Sequence, residues 1–401
     1  MSPASDRKGL FVLLSVLTFV ICGTYITVTL GRGYRLSFTN GPQIQATGIL
    51  SVTSSPKSAS VYLDNRLITA TDDVLNLIPG DYQIKIAKDG YLPSAKVLTI
   101  KKEIVTTAAS QLFRSAPNLK PVTFVGAINP TVSPDNTKIV FAVASASATK
   151  DNGLYLLESS NLPLPLNRHS LKQLSPDLSG VNWSKYKFTF SPDSKTLLAT
   201  SAHPTANFLI TTDSPINPNK LYDITSQLPF IKSDWQNIEQ RLLDSKLARL
   251  PQSLKAAVST QSSNFLQFSS DESKILYLAN KKTDLLPVLL PPPPSQNSLP
   301  QQRQLEADSY YVYDLKNDTN YHLGKSNQYI HLFWLPNSDN LILATPDTIF
   351  ASDSDASNRQ ILFKGQFSPS VLATTTDGLD LIILISPYTT ASENLYAITI
   401  R

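Results

Sequence analysis

The first strong pattern in the chain is an uninterrupted apolar stretch near the N-terminus. Residues Leu10 to Leu30 include no charged side chain. At 1.5 Å per residue, a helix of this length reaches about 30 Å, which matches the hydrocarbon core of a bilayer. No small-residue cleavage site follows the stretch, which argues against a cleaved signal peptide. The pattern therefore predicts a retained transmembrane helix over residues 10–30.

The charges that flank this stretch are nearly balanced and do not set its orientation alone. Arg7 and Lys8 precede it, and Arg32 and Arg35 follow it. Nine residues precede the apolar stretch and a large β-patterned body follows it, an arrangement typical of proteins that are anchored by one helix and export their C-terminal body. We therefore expect a cytoplasmic tail over residues 1–9 and an extracytoplasmic body over residues 36–401.

After Gly48 the pattern changes to the period of two that is typical of half-buried strands. Leu50 and Val52 alternate with polar neighbours, as do Val61 and Leu63 after the next turn. Further strands are expected within residues 74–77, 82–86, 95–100 and 105–112, separated by turns at Pro79-Gly80 and Asp89-Gly90. This succession predicts a compact all-β sandwich.

The order of these signals resembles the PEGA domain family. The family pattern G-x-L-x-V-x-S-x-P-x-x-A-x-V-Y-L-D falls on Gly48 to Asp64, and P-G-x-Y-x-I-x-I-x-K-x-G-Y falls on Pro79 to Tyr91. Two departures are Pro56-Lys57-Ser58-Ala59 at the name-giving tetrapeptide and Asp64-Asn65 at the following turn. The resemblance implies a small extracytoplasmic domain over residues 46–114, after a linker at 31–45, that binds or spaces rather than catalyses. Its tyrosines, Tyr62, Tyr82 and Tyr91, are expected in the core or at its rim, although exposed ones would be able to stack on sugar rings.

The rest of the chain contains an internal repeat in which a turn leads into a hydrophobic strand. The five copies are Val132–Ala142, Phe190–Thr200, Phe268–Leu278, Trp334–Ala344 and Thr374–Leu384. Second strands are expected from Leu154, Phe208, Tyr310, Thr348 and Leu395, and third strands from Lys172, Leu221, Tyr321 and Gln360. The strand that the last copy lacks is expected from residues 122–125, which would close a ring by joining the two ends of the module.

This arrangement predicts a β-propeller of five or six blades over residues 121–401, after a linker at 115–120. The F-S-P-D-x-x-x-L units, and Phe367-Ser-Pro after the fourth copy, resemble the repeats of TolB-like and WD40-type propellers. Because the resemblance is to a repeat, it implies a fold more strongly than a function.

Two insertions interrupt the repeats. In the helical insertion 228–260, Ser233 begins a capping-box pattern, and Trp235, Ile238 and Leu242 recur at helical spacing. A second short helix is expected over residues 252–258. The helical stripe either packs on the propeller or binds a partner. The second insertion, the Pro-rich loop 284–306, contains four consecutive prolines and predicts a solvated polyproline segment.

Composition excludes several classes of function. Hydrophobic residues make up 41% and charged residues only 16%, so the chain is globular rather than disordered. Thirty-five basic residues against thirty-one acidic ones leave a net charge of +4, too little for a surface that binds nucleic acid. The single cysteine, Cys22, excludes an internal disulfide framework. Bulky residues precede it, which argues against lipidation.

No catalytic, cofactor-binding or metal-binding residue is identified from the sequence. The four histidines, His169, His203, His322 and His331, lack the spacing of a helical metal site, and no nucleophile elbow, phosphate loop or dinucleotide fingerprint occurs. Asp353 and Asp355 alternate as calcium ligands do, but the loop lacks the glycine and the distal glutamate of an EF-hand. A turn in which aspartate bonds its own backbone explains the two residues more simply.

Together these observations predict a single-pass protein of a bacterial cell envelope that binds rather than catalyses. The PEGA-like domain and the propeller are expected to recognise envelope glycan or a surface protein. The alternative is an extracytoplasmic hydrolase or lyase with acidic residues in the propeller channel. Converging Asp and Glu beside a deep pocket would favour the enzyme, and a shallow mixed face would favour binding. A sensor is a third reading, but a nine-residue tail would require a partner in the membrane.

Overall fold

The computed structural model describes residues 4–31, 34–37, 43–159, 169–177, 181–201, 206–217, 221–258, 265–286, 300–386 and 392–401. The protein is mostly β and divides into two compact units. The first unit covers the chain to Asp89 and Pro93–Leu112, and the second contains Gly90–Leu92 and the described residues from Phe113 to Arg401. The mostly β fold class predicted from the sequence is confirmed.

The apolar stretch forms helix α1 (Ala4–Gly31). Its portion Gly9–Gly31 is long and apolar enough to cross a membrane. The helix starts before the predicted span because the residues from Ala4 to Gly9 continue it, and the cytoplasmic tail over residues 1–9 stays a prediction. The predicted linker 31–45 also contains secondary structure, since β1 (Tyr34–Ser37) pairs antiparallel with β2 (Gln43–Ala46).

Two sheets form the sandwich of the first unit. Its strands are β3 (Gly48–Ser55), β4 (Ser60–Leu63), β5 (Arg66–Ala70), β6 (Asp73–Leu77), β7 (Gly80–Ala87), β8 (Ser94–Ile100) and β9 (Val105–Gln111). One sheet has the order β6-β3-β9, with β3 and β9 parallel, and the other has the order β5-β4-β7-β8. Leu50, Val52, Val61, Ile84 and Leu98 are buried between them, as the alternating pattern predicts. Strand β5 was not expected from the sequence.

Five antiparallel sheets, here called blades 1 to 5, make up the second unit. The unit opens with β10 (Asn118–Pro121). Blade 1 contains β11 (Ile128–Val132), β12 (Lys138–Val143), β13 (Gly153–Ser159) and β14 (His169–Pro176). Blade 2 contains β15 (Tyr186–Phe190), β16 (Thr196–Ser201) and β17 (Phe208–Thr211).

Blade 3 contains β18 (Leu266–Phe268), β19 (Lys274–Ala279), β22 (Ser309–Asp314) and β23 (Thr319–Lys325). The connection between β19 and β22 contains a two-stranded antiparallel ribbon of β20 (Thr283–Asp284) and β21 (Gln304–Leu305). The four prolines of the predicted polyproline loop lie outside the described residues. Blade 4 contains β24 (His331–Trp334), β25 (Asn340–Ala344), β26 (Thr348–Asp353) and β27 (Gln360–Lys364), and blade 5 contains β28 (Ser368–Thr374), β29 (Asp380–Ile385) and β30 (Asn394–Thr399).

An early strand completes the last blade, as the sequence predicts, but it is not the strand that was expected. β10 pairs with β30, from Asn118 against Thr399 to Pro121 against Tyr396. The expected strand at residues 122–125 does not form, because the chain turns away there and Phe124 is 78% exposed. The described residues form five blades, the lower of the two predicted numbers.

Blade 2 has three strands and lacks the third strand that was predicted from Leu221. The predicted third strand at residues 221–224 is irregular because Asp223 caps a turn: its Oδ1 accepts from the N–H groups of Thr225 and Asn207 at 2.9 and 3.2 Å. A 3₁₀ turn (Thr225–Gln227) then leads into the insertion.

The helical insertion consists of α2 (Leu228–Ala248) and α3 (Gln252–Lys255). The predicted start at Ser233 is wrong, because Pro229 in the first turn already suits a helix beginning at Leu228. The end of the insertion packs on blade 3, where Leu243, Leu250 and Leu254 join the core around Tyr277 and Tyr311. Of the two alternatives left open by the sequence, packing on the propeller describes this end, whereas the first turns of α2 are largely exposed. The boundaries of the individual domains remain predictions.

Candidate functional site

The repeated turns between the first and second strands of the blades share one geometry. In four blades a hydroxyl at the first turn position donates to an aspartate two residues later, at 2.5 to 2.7 Å. These pairs are Ser133 with Asp135, Ser191 with Asp193, Ser269 with Asp271, and Thr375 with Asp377. The residue after each aspartate has a positive φ, and the last of these is Gly378. The short polar turn motif therefore fixes the loop at the same end of these four blades.

Two of these turns are tied to the turn of the next blade. The N–H of Asp135 donates to the Ser194 hydroxyl at 3.3 Å, and the Lys138 ammonium donates to the Ser194 carbonyl at 3.4 Å. Blades 3 and 4 repeat this arrangement, with Asp271 N–H to the Ser338 hydroxyl at 2.9 Å and Lys274 to the Ser338 carbonyl at 3.1 Å. We call each set a turn latch, and the latches hold neighbouring turns in register.

In blade 3 the position equivalent to Ser194 and Ser338 is Glu272. Instead of a hydroxyl it presents a carboxylate, which pairs with Arg249 at the end of α2, with Nη1 and Oε1 at 3.0 Å. The Arg249 guanidinium also lies 4.6 Å from the centre of the Phe268 ring. This pairing raises the pKa of Arg249 and lowers the pKa of Glu272. In blades 2 and 4 the residue at this turn position forms a latch with the preceding blade, whereas in blade 3 it pairs with the insertion.

An open cavity of about 360 Å³ lies among these turns. Its lining comes from blades 1, 3, 4 and 5 and is mainly aromatic, amide and hydroxyl in character. The lining residues are Asp135, Asn136, Gln267, Phe268, Ser270, Phe333, Trp334, Pro336, Thr374, Thr375 and Thr376. We call this cavity the mouth pocket. Its size falls in the range of about 300–1,000 Å³ that is usual for small-ligand sites.

Asp135 is the only charged residue in that lining, and the turn already engages it. Its Oδ1 accepts from the Ser133 hydroxyl at 2.5 Å and from the Thr137 N–H and hydroxyl at 3.1 and 2.8 Å. Burial opposes its ionisation, but these hydrogen bonds outweigh that effect and lower the pKa of Asp135 below its usual value. The pocket therefore presents a stable carboxylate rather than a proton donor.

The first strands of the blades, β11, β15, β18, β24 and β28, lie nearest one another around the ring. The Thr131 hydroxyl donates to the Phe188 carbonyl at 3.2 Å, the Gln267 amide to the Leu332 carbonyl at 3.1 Å, and a ring nitrogen of His331 contacts the Pro369 carbonyl at 2.6 Å. None of these five strands contains Asp or Glu. The acidic channel that the enzyme alternative requires is therefore not formed by these strands.

The candidate residues considered from the sequence are not brought together. His322 packs against the Tyr311 ring, with centroids 5.0 Å apart, while His331 lies on β24 and the side chains of His169 and His203 are outside the described part. Asp353 accepts from the Asn340 amide at 2.8 Å, and Asp355 accepts from the Ser357 N–H at 3.0 Å. Both aspartates thus organise the turn between β26 and β27, as the turn interpretation predicts.

The sandwich tyrosines described in the first unit are half-buried. Tyr82 donates to the Ile78 carbonyl at 3.0 Å, and the Lys85 ammonium lies 5.8 Å from the centre of the Tyr62 ring. These contacts fit rim positions, one of the two placements expected.

Sequence reasoning did not identify the mouth pocket as a site. A signal was present, since Phe268, Trp334 and Thr374 each occupy the first position of a repeat copy, directly before the turn. The repeat alone does not predict that these positions meet, because only the closed ring of blades brings them to one cavity.

Comparison with known proteins bears mainly on the first unit. Among curated proteins none matches the chain. Among solved structures, the chain is similar to TolB from Acinetobacter baumannii (12% identity, 79% of this chain and 60% of that chain, TM-score 0.21). It is also similar to the acylaminoacyl peptidase of Pyrococcus horikoshii (9% identity, 69% of this chain and 39% of that chain, TM-score 0.23). The assignment of a propeller rests on the order of the five sheets. Residues 47–115 match the PEGA domain model, which confirms the resemblance predicted for this segment.

Proposed function

We propose that this protein is a membrane-anchored binding protein of the bacterial cell envelope whose body is extracytoplasmic. In this proposal α1 is a single-pass anchor with its N-terminus inside, and the PEGA domain and the propeller recognise envelope glycan or a surface protein. The observation that carries the proposal is the mouth pocket, which is a preformed concave site with a mixed aromatic and polar lining.

The rigidity of the pocket supports recognition. The turn latches and the hydroxyl–aspartate pairs fix the backbone around the cavity before any ligand arrives. A preorganised site loses less conformational entropy on binding, so modest contacts give useful affinity. The membrane anchor adds to this by confining the site near its target.

The second candidate function, a hydrolase or lyase that uses acidic residues in the propeller channel, has less support. Two carboxylates near one another are the usual requirement for acid–base work on glycosidic bonds. In the mouth pocket Asp135 is the only carboxylate, and its lowered pKa keeps it ionised. Binding therefore accounts for the described residues more simply.

Co-sedimentation with isolated cell envelopes tests this function. The full chain in detergent micelles is mixed with envelopes that the same detergent has already freed of lipid, so that α1 cannot insert, before and after their proteins are removed with protease. Binding that survives protease is expected for envelope glycan, and binding lost with the proteins is expected for a surface protein. Absence of binding to either preparation would contradict the proposed function.

The proposed orientation has a separate test. Protease is added to intact cells and to lysed cells that contain the full chain. Loss of the body in intact cells is expected, because residues 36–401 would be outside. A body that survives in intact cells and is digested only after lysis would place it inside and overturn the topology.

A further inference from the structure

We propose that the mouth pocket binds an uncharged sugar ring of a glycan, with the Asn136 amide, the Ser270 hydroxyl and the Asp135 carboxylate as its hydrogen-bonding groups. This inference rests on the proposed function and names the class of ligand for the same site. It favours glycan over a surface protein as the target that occupies the pocket.

The charge of the lining argues for a neutral ligand. Among the described residues that line the cavity, Asp135 is the only charged one, and none is a lysine or an arginine. Lys138 and Lys274 lie close by but are directed to the Ser194 and Ser338 carbonyls in the latches. An anionic ligand would meet a carboxylate without a compensating cation, which is unfavourable in a partly enclosed site.

The polar groups that remain available suit hydroxyl-rich ligands. The side chains of Asn136 and Ser270 are exposed and have no hydrogen-bond partner among the described residues, and they belong to blades 1 and 3. An amide both donates and accepts, a hydroxyl does the same, and an ionised carboxylate accepts. These groups together match a ligand whose hydroxyls act as both donors and acceptors.

The apolar part of the pocket suits the faces of a sugar ring, which carry C–H groups. Phe268 is half-buried at the wall, and Phe333 and Trp334 lie behind it, each about nine-tenths buried. The Trp334 indole donates to the Gln267 carbonyl at 3.3 Å, which fixes its ring. A wall of fixed aromatic edges and a rim of free polar groups is the arrangement that orients a small polar ligand.

The test uses the full chain in detergent micelles and glycan released from protease-treated envelopes. The glycan is labelled at its reducing ends and separated by anion exchange into neutral and anionic fractions, and each fraction is tested by retention with the immobilised protein. We expect retention of the neutral fraction. Retention of the anionic fraction alone, or of neither fraction, would overturn the proposal.

Matched variants place the binding in the pocket. Ser270→Trp fills the cavity from the exposed second position of the blade 3 turn, whereas Pro192→Trp places the same side chain at the equivalent position of blade 2, outside the lining. At least a tenfold loss of neutral-glycan affinity is expected for Ser270→Trp, with Pro192→Trp within about twofold of the unmodified chain. Equal affinity of Ser270→Trp and the unmodified chain would overturn the proposal, since it would place the glycan elsewhere.

The same variants separate this inference from the broader function. If Ser270→Trp still sediments with protease-treated envelopes as the unmodified chain does, the pocket assignment fails and the proposed function stands. If the unmodified chain does not bind envelopes, both fail. If it binds only untreated envelopes, the target is a protein and the sugar assignment fails alone.

Discussion

Arg249 of the helical insertion pairs with Glu272 in the turn of blade 3, and the same guanidinium lies over the ring of Phe268. Phe268 is also a wall of the mouth pocket. The insertion is thus attached to blade 3 at the residue that borders the candidate site, so the stability of this attachment and the shape of the pocket are linked.

Arg249→Ala is expected to lower the stability of the second unit slightly. Both partners are partly exposed, so solvent screens their attraction and the effect should be smaller than that of any core substitution. Urea unfolding followed by tryptophan fluorescence checks this, because Trp183, Trp235 and Trp334 all lie in the second unit. A double-mutant cycle with Glu272→Ala should give a small stabilising coupling, and a destabilising coupling would contradict the pairing.

Leu254→Ala tests whether the end of the insertion belongs to the core of blade 3. Leu254 is fully buried, so its truncation should cost about 2–5 kcal/mol of unfolding free energy. Leu242→Ala is the matched control, since Leu242 is 46% exposed and its loss should cost less than about 0.5 kcal/mol. Similar costs for the two variants in urea unfolding would mean that α3 does not pack on the blade in solution.

Ser338→Ala removes one of the two hydrogen bonds of the turn latch between blades 3 and 4 and keeps the bond from Lys274 to the backbone carbonyl. The buried hydroxyl accepts from the Asp271 N–H at 2.9 Å, so its loss should cost about 1 kcal/mol. Ala keeps the left-handed backbone at this position under a strain similar to that of Ser, so the change reports mainly on the hydrogen bond. The control is Ser270→Ala, which removes an exposed hydroxyl next to Asp271 in the blade 3 turn and should leave the urea midpoint unchanged.

The turn aspartates predict a loss of stability in acid. Burial of Asp271 opposes its ionisation, but hydrogen bonds from Ser273 and Ser269 outweigh this and lower its pKa below the usual 3.8. A carboxyl whose pKa is lowered on folding stabilises the protein above pH 3.8, and this contribution is lost as the pH falls from 3.8 toward the lowered value.

Asp271→Asn checks the sign of this effect. The gap in urea midpoint between the unmodified chain and the variant should be largest near neutral pH and shrink below about pH 3.8. Glu239→Gln, which removes one negative charge from an exposed position on α2, is the charge-matched control. A gap for Asp271→Asn that widens in acid would contradict the assigned direction.

Tyr277→Phe removes a buried hydroxyl from blade 3. The hydroxyl donates to the Asn320 amide oxygen at 2.9 Å, and burial raises the pKa of Tyr277 well above its usual value, so the group stays neutral. The substitution leaves the amide oxygen without this donor and should cost about 1–3 kcal/mol in urea unfolding. No change in midpoint would show that water replaces the bond.

Local patterns predicted much of the fold. The alternation of Leu50 with Val52, and the five turn motifs that begin at residues such as Val132 and Phe190, are encoded within short windows. The strand at residues 118–121 was misplaced because the choice between it and residues 122–125 depends on pairing with β30 at the other end of the module. The helix start predicted at Ser233 was wrong because a capping pattern also occurs inside helices, and Pro229 suits a start at Leu228.

The site was less accessible to sequence reasoning for a related physical reason. Asn136, Ser270 and Trp334 come from three blades and are unremarkable within their own repeats. Only the circular arrangement of the blades makes them neighbours. The substitution of Glu272 where blades 2 and 4 have serine was visible in the repeat alignment, but its partner Arg249 lies in an insertion that has no equivalent in the other copies.

The pairing of β10 with β30 sets an order of events during synthesis. β10 is made before every strand of the blades, and β30 is made after every other described strand. Blade 5 therefore lacks its outer pair until translation has passed all five repeats, and β10 stays without its partner strand for that time. This pairing joins strands far apart in the chain, so a chain that lacks β30 leaves blade 5 incomplete and two strand edges exposed.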